Sequence, residues 1–195
     1  MINSNTDSVI LKIVVFGPES TGKTTLAKQL SSHFGTVWNP EFLRYYVDAR
    51  ELSKPDLMKS KQITITEGEL LNIAIGQLAS EKAIQENNSG ILFYDTCLHT
   101  NAIYAEHYYN NVPEGIMRML SSVNYDFFFL CNTDIEWEYD PQRESAEVRD
   151  VLFGKMHTYL KENRLPFSII SGTGENRFNH ALSILNSKFP SIVNK

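Results

Sequence analysis

The segment Gly17-Pro18-Glu19-Ser20-Thr21-Gly22-Lys23-Thr24 fits the pattern G-x-x-x-x-G-K-[ST], a spacing suited to holding phosphates. Gly17 and Gly22 permit backbone shapes that a side chain would block. The N–H groups of Glu19, Ser20, Thr21 and Gly22, with the start of a following helix, then point at phosphate oxygens. Lys23 adds a point charge, and the Thr24 hydroxyl is a ligand for Mg²⁺. Thr25 closes the segment and is read as its structural neighbour. The bland alternative is a chance match at an ordinary strand-to-helix turn, and the apolar run before it and the helical pattern after it count against that.

Further acids and cations fall where such a loop needs them. Ile91-Leu92-Phe93-Tyr94-Asp95-Thr96 reads as a buried strand ending in a carboxylate, a form that delivers an acid to the Mg²⁺ of a nucleotide. Asp95 as a simple turn cap is the competing reading. Glu41 and Arg44 follow a short presumed strand and sit either at the same crevice or as a surface pair on a helix. Trp38 is either a stacking platform for an aromatic substrate or a core side chain. Residues 133–149 are polar, acidic and turn-rich, which suits a small lid. Asp140, Arg143 and Arg149 lie there, and arginines over a triphosphate neutralise developing charge. Thr173 and Gly174, in Gly172-Thr173-Gly174, line an adenine or make a plain turn. His99 reads as structural, and Tyr104, His107, Tyr108 and Tyr109 as packing or pocket wall.

Elements able to position these residues recur along the chain. Apolar or β-branched runs at 10–16, 37–38, 91–94, 127–131 and 167–170 predict five strands. Helical periodicity falls after Gly22 and over 41–52, 63–86, 100–109, 114–121, from Val148 to Leu160, and over 176–188. Pro55 opens a further short helical piece. Leu70, Leu71, Ala74 and Leu78 form the expected inner stripe of the longest helix. Strands alternating with helices predict an α/β fold of three layers, a five-stranded parallel sheet covered on both faces. Residues 1–8 read as a frayed tail, and 9–195 as one domain.

Composition narrows the classes. Of 195 residues, 42% are hydrophobic and 21% charged, and the net charge of -5 argues against a nucleic-acid partner. No apolar run reaches the roughly 20 residues that cross a bilayer. Cys97 and Cys131 lack metal spacing and read as reduced thiols in a cytoplasmic protein.

Several of these residues together resemble a known family. Gly17 to Thr24, Glu41 with Arg44, Gly76, Asp95-Thr96 with Thr100, and Asn132-Thr133 running to Trp137, Asp140 and Arg143 look like the ribosylnicotinamide kinase domain. That domain forms the C-terminal part of bacterial bifunctional or trifunctional NAD-biosynthesis proteins, and the similarity spans roughly residues 10 to 185. It implies a P-loop kinase fold and transfer of the ATP γ-phosphate to the 5′-hydroxyl of nicotinamide riboside. It also implies that Lys23 and Thr24 hold ATP and Mg²⁺, that Asp95 and Glu41 sit at the acceptor, and that Arg143 and Arg149 close from the lid. Trp38, Glu41, Arg44, Asp95, Thr96 and Thr100 make up the candidate acceptor set. Cys97 stands where the family often carries an aspartate, and Trp38 lies three residues before Glu41 where the family's tryptophan directly precedes it. The adenylyltransferase and DNA-binding parts are not expected in this chain. Either Asp95 or Glu41 serves as the base. A regulatory ATPase that signals to a protein partner is the rival class, and an enclosed acceptor pocket beside the γ-phosphate discriminates against it.

Overall fold

Strand β1 (Ile10–Phe16) turns Ile13 and Val15 to one face and Val14 and Phe16 to the other, all fully buried. That pattern requires cover on both sides. In the computed structural model, which describes residues 10–53, 65–137 and 146–193, the cover is complete. The remaining strands are β2 (Trp38–Asn39), β3 (Gly90–Asp95), β4 (Phe127–Cys131) and β5 (Phe167–Ile170), in the spatial order β2-β3-β1-β4-β5 and all parallel. Helices α1 (Lys23–His33) and α7 (Gly174–Lys188) send Leu26, Leu30, Ala181 and Leu185 against the Ile13–Val15 face. Helices α4 (Leu98–Tyr109) and α6 (Ala146–Glu162) send Ile103, Met156 and Leu160 against the other. Helix α3 (Glu67–Glu86) and the short α5 (Glu114–Leu120) join α4 in a third cluster through Leu70, Ala74, Ala102 and Ile116. Helix α2 (Phe42–Ser53) follows β2, and α8 (Pro190–Val193) adds a last turn.

Several boundaries and faces differ from the sequence expectation. Helix α3 begins at Glu67 rather than Ile63, because Thr66 caps it: the Thr66 N–H and hydroxyl both donate to Glu69 Oε2, at 2.8 and 2.7 Å. Its buried face is Leu70, Ile73, Ala74, Gln77 and Glu81, while Leu71 and Leu78 are only half-buried. The apolar stripe gives way to polar groups where the helix passes the sheet edge. Helix α4 starts at Leu98, two residues early, since Cys97 is its cap. Helix α7 starts at Gly174 rather than Asn176. The ring of Phe42 occupies the space a Cβ would need at Gly76, so α2 sits flush on α3. The expected tail at 1–8, the helical piece at Pro55, and Asp140 and Arg143 of the expected lid lie outside the described residues. Among the described residues no helix is long and apolar enough to cross a membrane.

Candidate functional site

Parallel sheets put the carboxyl ends of their strands at one edge, and a crevice opens where successive connections leave in opposite directions. Here that place is β1, flanked by β3 and β4. Val15 pairs with Asp95 and Phe16 with Leu130, so the loop after β1 emerges level with Asp95. Gly17 has φ 144° and lies against Cys131, whose carbonyl oxygen would be 3.0 Å from an added Cβ. Gly22, at φ 72°, is the cap of α1. Ser20 and Thr96 adopt φ of 52° and 67°, a region costly for residues with a side chain. Strain therefore sits on both edges of the crevice.

A cavity of about 290 Å³ opens there. Its walls include Glu19 to Thr25, Glu41 and Arg44 on one side and Ile135, Gly174 and Arg177 on the other. Lys23 Nζ donates to the Pro18 carbonyl at 2.7 Å, and the Thr21 hydroxyl donates to the same carbonyl at 2.8 Å. The Thr24 hydroxyl donates to Asp95 Oδ2 at 2.5 Å. Asp95 Oδ1 is buried with no partner. Burial raises the Asp95 carboxyl, and the nearby Lys23 charge pulls it back. Glu41 Oε2 meets Arg44 Nε at 3.2 Å, with 19% of the Glu41 side chain exposed. Burial raises Glu41 too, Lys23 opposes that, and Asp95 adds to it. The two carboxylates thus feel one another and one ammonium. Glu19 Oε1 accepts from the Tyr104 hydroxyl at 2.5 Å, and its Oε2 is buried without a partner. Tyr104 lies behind the cavity wall, tied to the phosphate loop through Glu19, its hydroxyl pushed well above its usual range by burial and then by Glu19.

Of the other candidate residues, some stand where expected and some do not. Trp38 does not line the cavity. It packs against the core, with Lys28 Nζ 5.3 Å from its ring centroid. Thr100 is inside the cap of α4, receiving the Cys97 N–H at 3.4 Å, and Thr96 is buried with its N–H on the Val15 carbonyl. Both are frame rather than acceptor wall. His99 stands among the rings of Tyr125, Phe128 and Tyr159 and is structural. Arg149 belongs to α6, not to a lid, and its guanidinium donates to the carbonyls of Ile135, Thr133 and Ser20 at 2.9, 3.1 and 3.5 Å. Thr173 caps α7, and Gly174 reaches the cavity.

Arg177 escaped the sequence reading. It is buried, and it donates to the carbonyls of Thr21, Gly172 and Asn132 at 2.6, 2.6 and 3.2 Å and to Asp134 Oδ1. One guanidinium thus fastens the loops that follow β1, β4 and β5. A signal was present: both Arg149 and Arg177 lie in the first turn of a helix, where the dipole disfavours a cation. A cation placed there is held by something else.

The architecture and the loop after β1 define a P-loop domain of the nucleoside-triphosphate-binding kind. A family model described as AAA domain matches residues 12–177, and the chain belongs to that family. Solved structures similar to it include a NadR protein in complex with NR, 20% identical with a TM-score of 0.71, covering 92% of this chain and 50% of that one. A NadR protein in complex with NAD and AMP-PNP is 19% identical with a TM-score of 0.69, covering 92% and 49%. The thymidylate kinase of Ehrlichia chaffeensis is 17% identical with a TM-score of 0.61, covering 90% and 98%. The chain spans about half the length of those NadR chains. At such identities the likeness establishes the fold. No curated protein matches the chain.

Proposed function

We propose that this protein is an ATP-dependent kinase that phosphorylates the 5′-hydroxyl of a nucleoside, with nicotinamide riboside as the acceptor. The observation that carries the proposal is the convergence of two carboxylates on Lys23: Glu41, paired with Arg44 in the cavity wall, and Asp95, buried just behind that wall and bonded to its Thr24. A phosphate loop alone needs no second carboxylate pair beside it. A kinase needs one to orient the hydroxyl that attacks. The similar NadR structures, bound to NR and to AMP-PNP, supply the acceptor and the donor in this reading.

The residues fit a magnesium ion. Thr24 Oγ1 and Asp95 are hard oxygen donors, and the orphaned Asp95 Oδ1 is a buried acceptor awaiting a cation or a donor. Bound there with ATP, Mg²⁺ neutralises charge on the phosphates. The chain's own contribution is placement. Loop amides and Lys23 hold the phosphate tail, and Arg44, in the cavity wall, supplies positive charge to the transferred group in this reading. Glu41, its carboxyl raised by burial, is the group nearest in kind to a base for the acceptor hydroxyl. Positioning and electrostatics supply most of the rate in such transfers.

The test is ADP release from ATP and Mg²⁺ against a nucleoside panel that includes nicotinamide riboside. Release that depends on nicotinamide riboside, with its 5′-monophosphate as product, is expected. Release independent of any acceptor would replace the kinase reading with a regulatory ATPase. Dependence on another nucleoside would keep the kinase and change the acceptor.

A further inference from the structure

Helix α3 buries a carboxyl that phosphate transfer leaves unused. Glu81 is 1% exposed, and its partners Gln77 and Tyr125 are 2% and 4% exposed. Glu81 Oε1 accepts from Gln77 Nε2 at 2.9 Å, and Oε2 accepts from the Tyr125 hydroxyl at 2.7 Å. Each partner also receives a backbone N–H: Gln77 Oε1 takes that of Phe42 at 3.0 Å, and the Tyr125 oxygen takes that of Leu98 at 3.4 Å. Phe42 directly follows Glu41, and Leu98 opens the helix after Asp95. Two hydrogen-bonded arms therefore run inward from the two carboxylate-bearing segments, and every donor along them points at Glu81.

We infer that ionised Glu81 is a positioning residue for the transfer reaction, fixing the start of α2 behind Glu41 and the start of α4 behind Asp95. The inference rests on the proposal that those two carboxylates serve the reaction. An ionised carboxylate is acceptor-only and receives both arms. A proton on it is a new donor that needs an acceptor, and within this network only a reversed arm supplies one. Should Gln77 turn its amide, the –NH₂ faces the Phe42 N–H, donor against donor. Should the Tyr125 hydroxyl turn instead, its own proton loses its acceptor in a dry site. Either fault is costly where water cannot enter.

Burial pushes the Glu81 carboxyl up to about 7, against the Tyr125 and Gln77 hydrogen bonds and the charge of Lys12. The titratable groups facing it from other elements are Lys12 on β1, Tyr94 on β3, Cys97 at the cap of α4, and Tyr125 before β4. Asp126 takes the Lys12 N–H at 2.7 Å, and His99 meets the Tyr125 ring edge-to-face. Burial pushes Tyr94, Cys97 and Tyr125 up and holds His99 down at about 4, so these four keep one protonation state near neutrality.

Amide NMR of the full chain reads the linkage without any acceptor. From mildly acidic to mildly alkaline pH, the Phe42 or the Leu98 amide is expected to titrate with a midpoint near neutrality. Tyr125→Phe, which removes one donor to the carboxylate, moves that midpoint upward. Glu81→Gln abolishes the titration, and at alkaline pH its kcat falls about tenfold, to the low-pH plateau of the wild type, with nucleotide affinity unchanged. Amides that stay flat in the wild type overturn the inference, as does a titration that survives in Glu81→Gln or a kcat profile that this substitution leaves alone. Amides that titrate in a protein without phosphotransfer to any nucleoside would uphold the linkage and sink the kinase reading instead.

Discussion

Lys23, Asp95 and Gly17 are each fixed by what lies next to them in the chain. A strand that must be buried runs into a glycine, and a helix must start beyond it, so the motif carries its own geometry. Lys23→Ala should abolish nucleotide turnover while leaving the melting temperature within a few degrees, measured by ADP release and thermal denaturation. Retained turnover would mean the phosphate site lies elsewhere. Asp95→Asn should weaken turnover far more than ATP binding, because the amide keeps an oxygen for Thr24 but loses the charge offered to a cation. Equal loss of both, by titration and kinetics, would recast Asp95 as a cap. At Gly17 an alanine meets the Cys131 carbonyl and an unfavourable φ together. Gly17→Ala should cost about 1–3 kcal/mol in urea unfolding and disturb the loop. Other residues were illegible for an equally physical reason. Tyr104 finds Glu19 across 85 residues, Tyr125 finds Glu81 across 44, and Arg177 finds Thr21 across 156. Nothing local in a tyrosine or an arginine announces such a partner.

Helices α3 and α7 show what elements add to residues. Near its start, α3 holds Glu69, which takes Arg50 at 3.0 Å and Tyr46 at 3.1 Å from α2. Burial would raise Glu69, but the Thr66 hydrogen bonds and Arg50 hold it down at about 2. Later it holds Glu81, raised to about 7. The two have opposite linkage. Glu69 has a depressed carboxyl, so its stabilisation is present above the ordinary value of 4.5 and is lost as pH falls toward 2. Glu81 has a raised one, so between 4.5 and about 7 the folded state binds the extra proton, and stability falls as pH rises. For Glu81 that fall is on the order of 3 kcal/mol. Chemical denaturation across this window should show it, and Glu81→Gln should flatten it. A substitution that stabilises at alkaline pH while slowing turnover is not what a purely structural residue gives. Helix α7 contributes its arginine. Arg177→Leu should strip the carbonyls of Thr21, Gly172 and Asn132 of a donor and leave Asp134 without its cation, costing about 3 kcal/mol or more. A loss below about 1 kcal/mol in urea unfolding would show that water replaces the guanidinium without harm.

For the molecule as a whole, the five strands, their parallel sense and the helices on both faces were readable from alternating periodicities. The order β2-β3-β1-β4-β5 was not. Order depends on which edges meet, and strands as uniformly apolar as Phe127–Cys131 carry no label for their neighbours. The register that sets Val15 beside Asp95 therefore had to be observed. It explains why a carboxylate 71 residues from Thr24 lies in hydrogen-bonding reach of it. Trp38 illustrates the converse. Its place on β2, paired with Phe93, turns it toward the core, which the sequence alone left open.

The bond from Lys23 Nζ to the carbonyl of Pro18 carries a last implication. That bond berths the ammonium on its own hairpin of backbone. An incoming anion therefore displaces an oxygen of the peptide chain instead of capturing a naked cation. Swapping one oxygen for another keeps the net gain from that contact modest. Tight grip then falls to the amides. In the proposed kinase reaction the same carbonyl gives the ammonium a place to return to after transfer, which would ease departure of the diphosphate product.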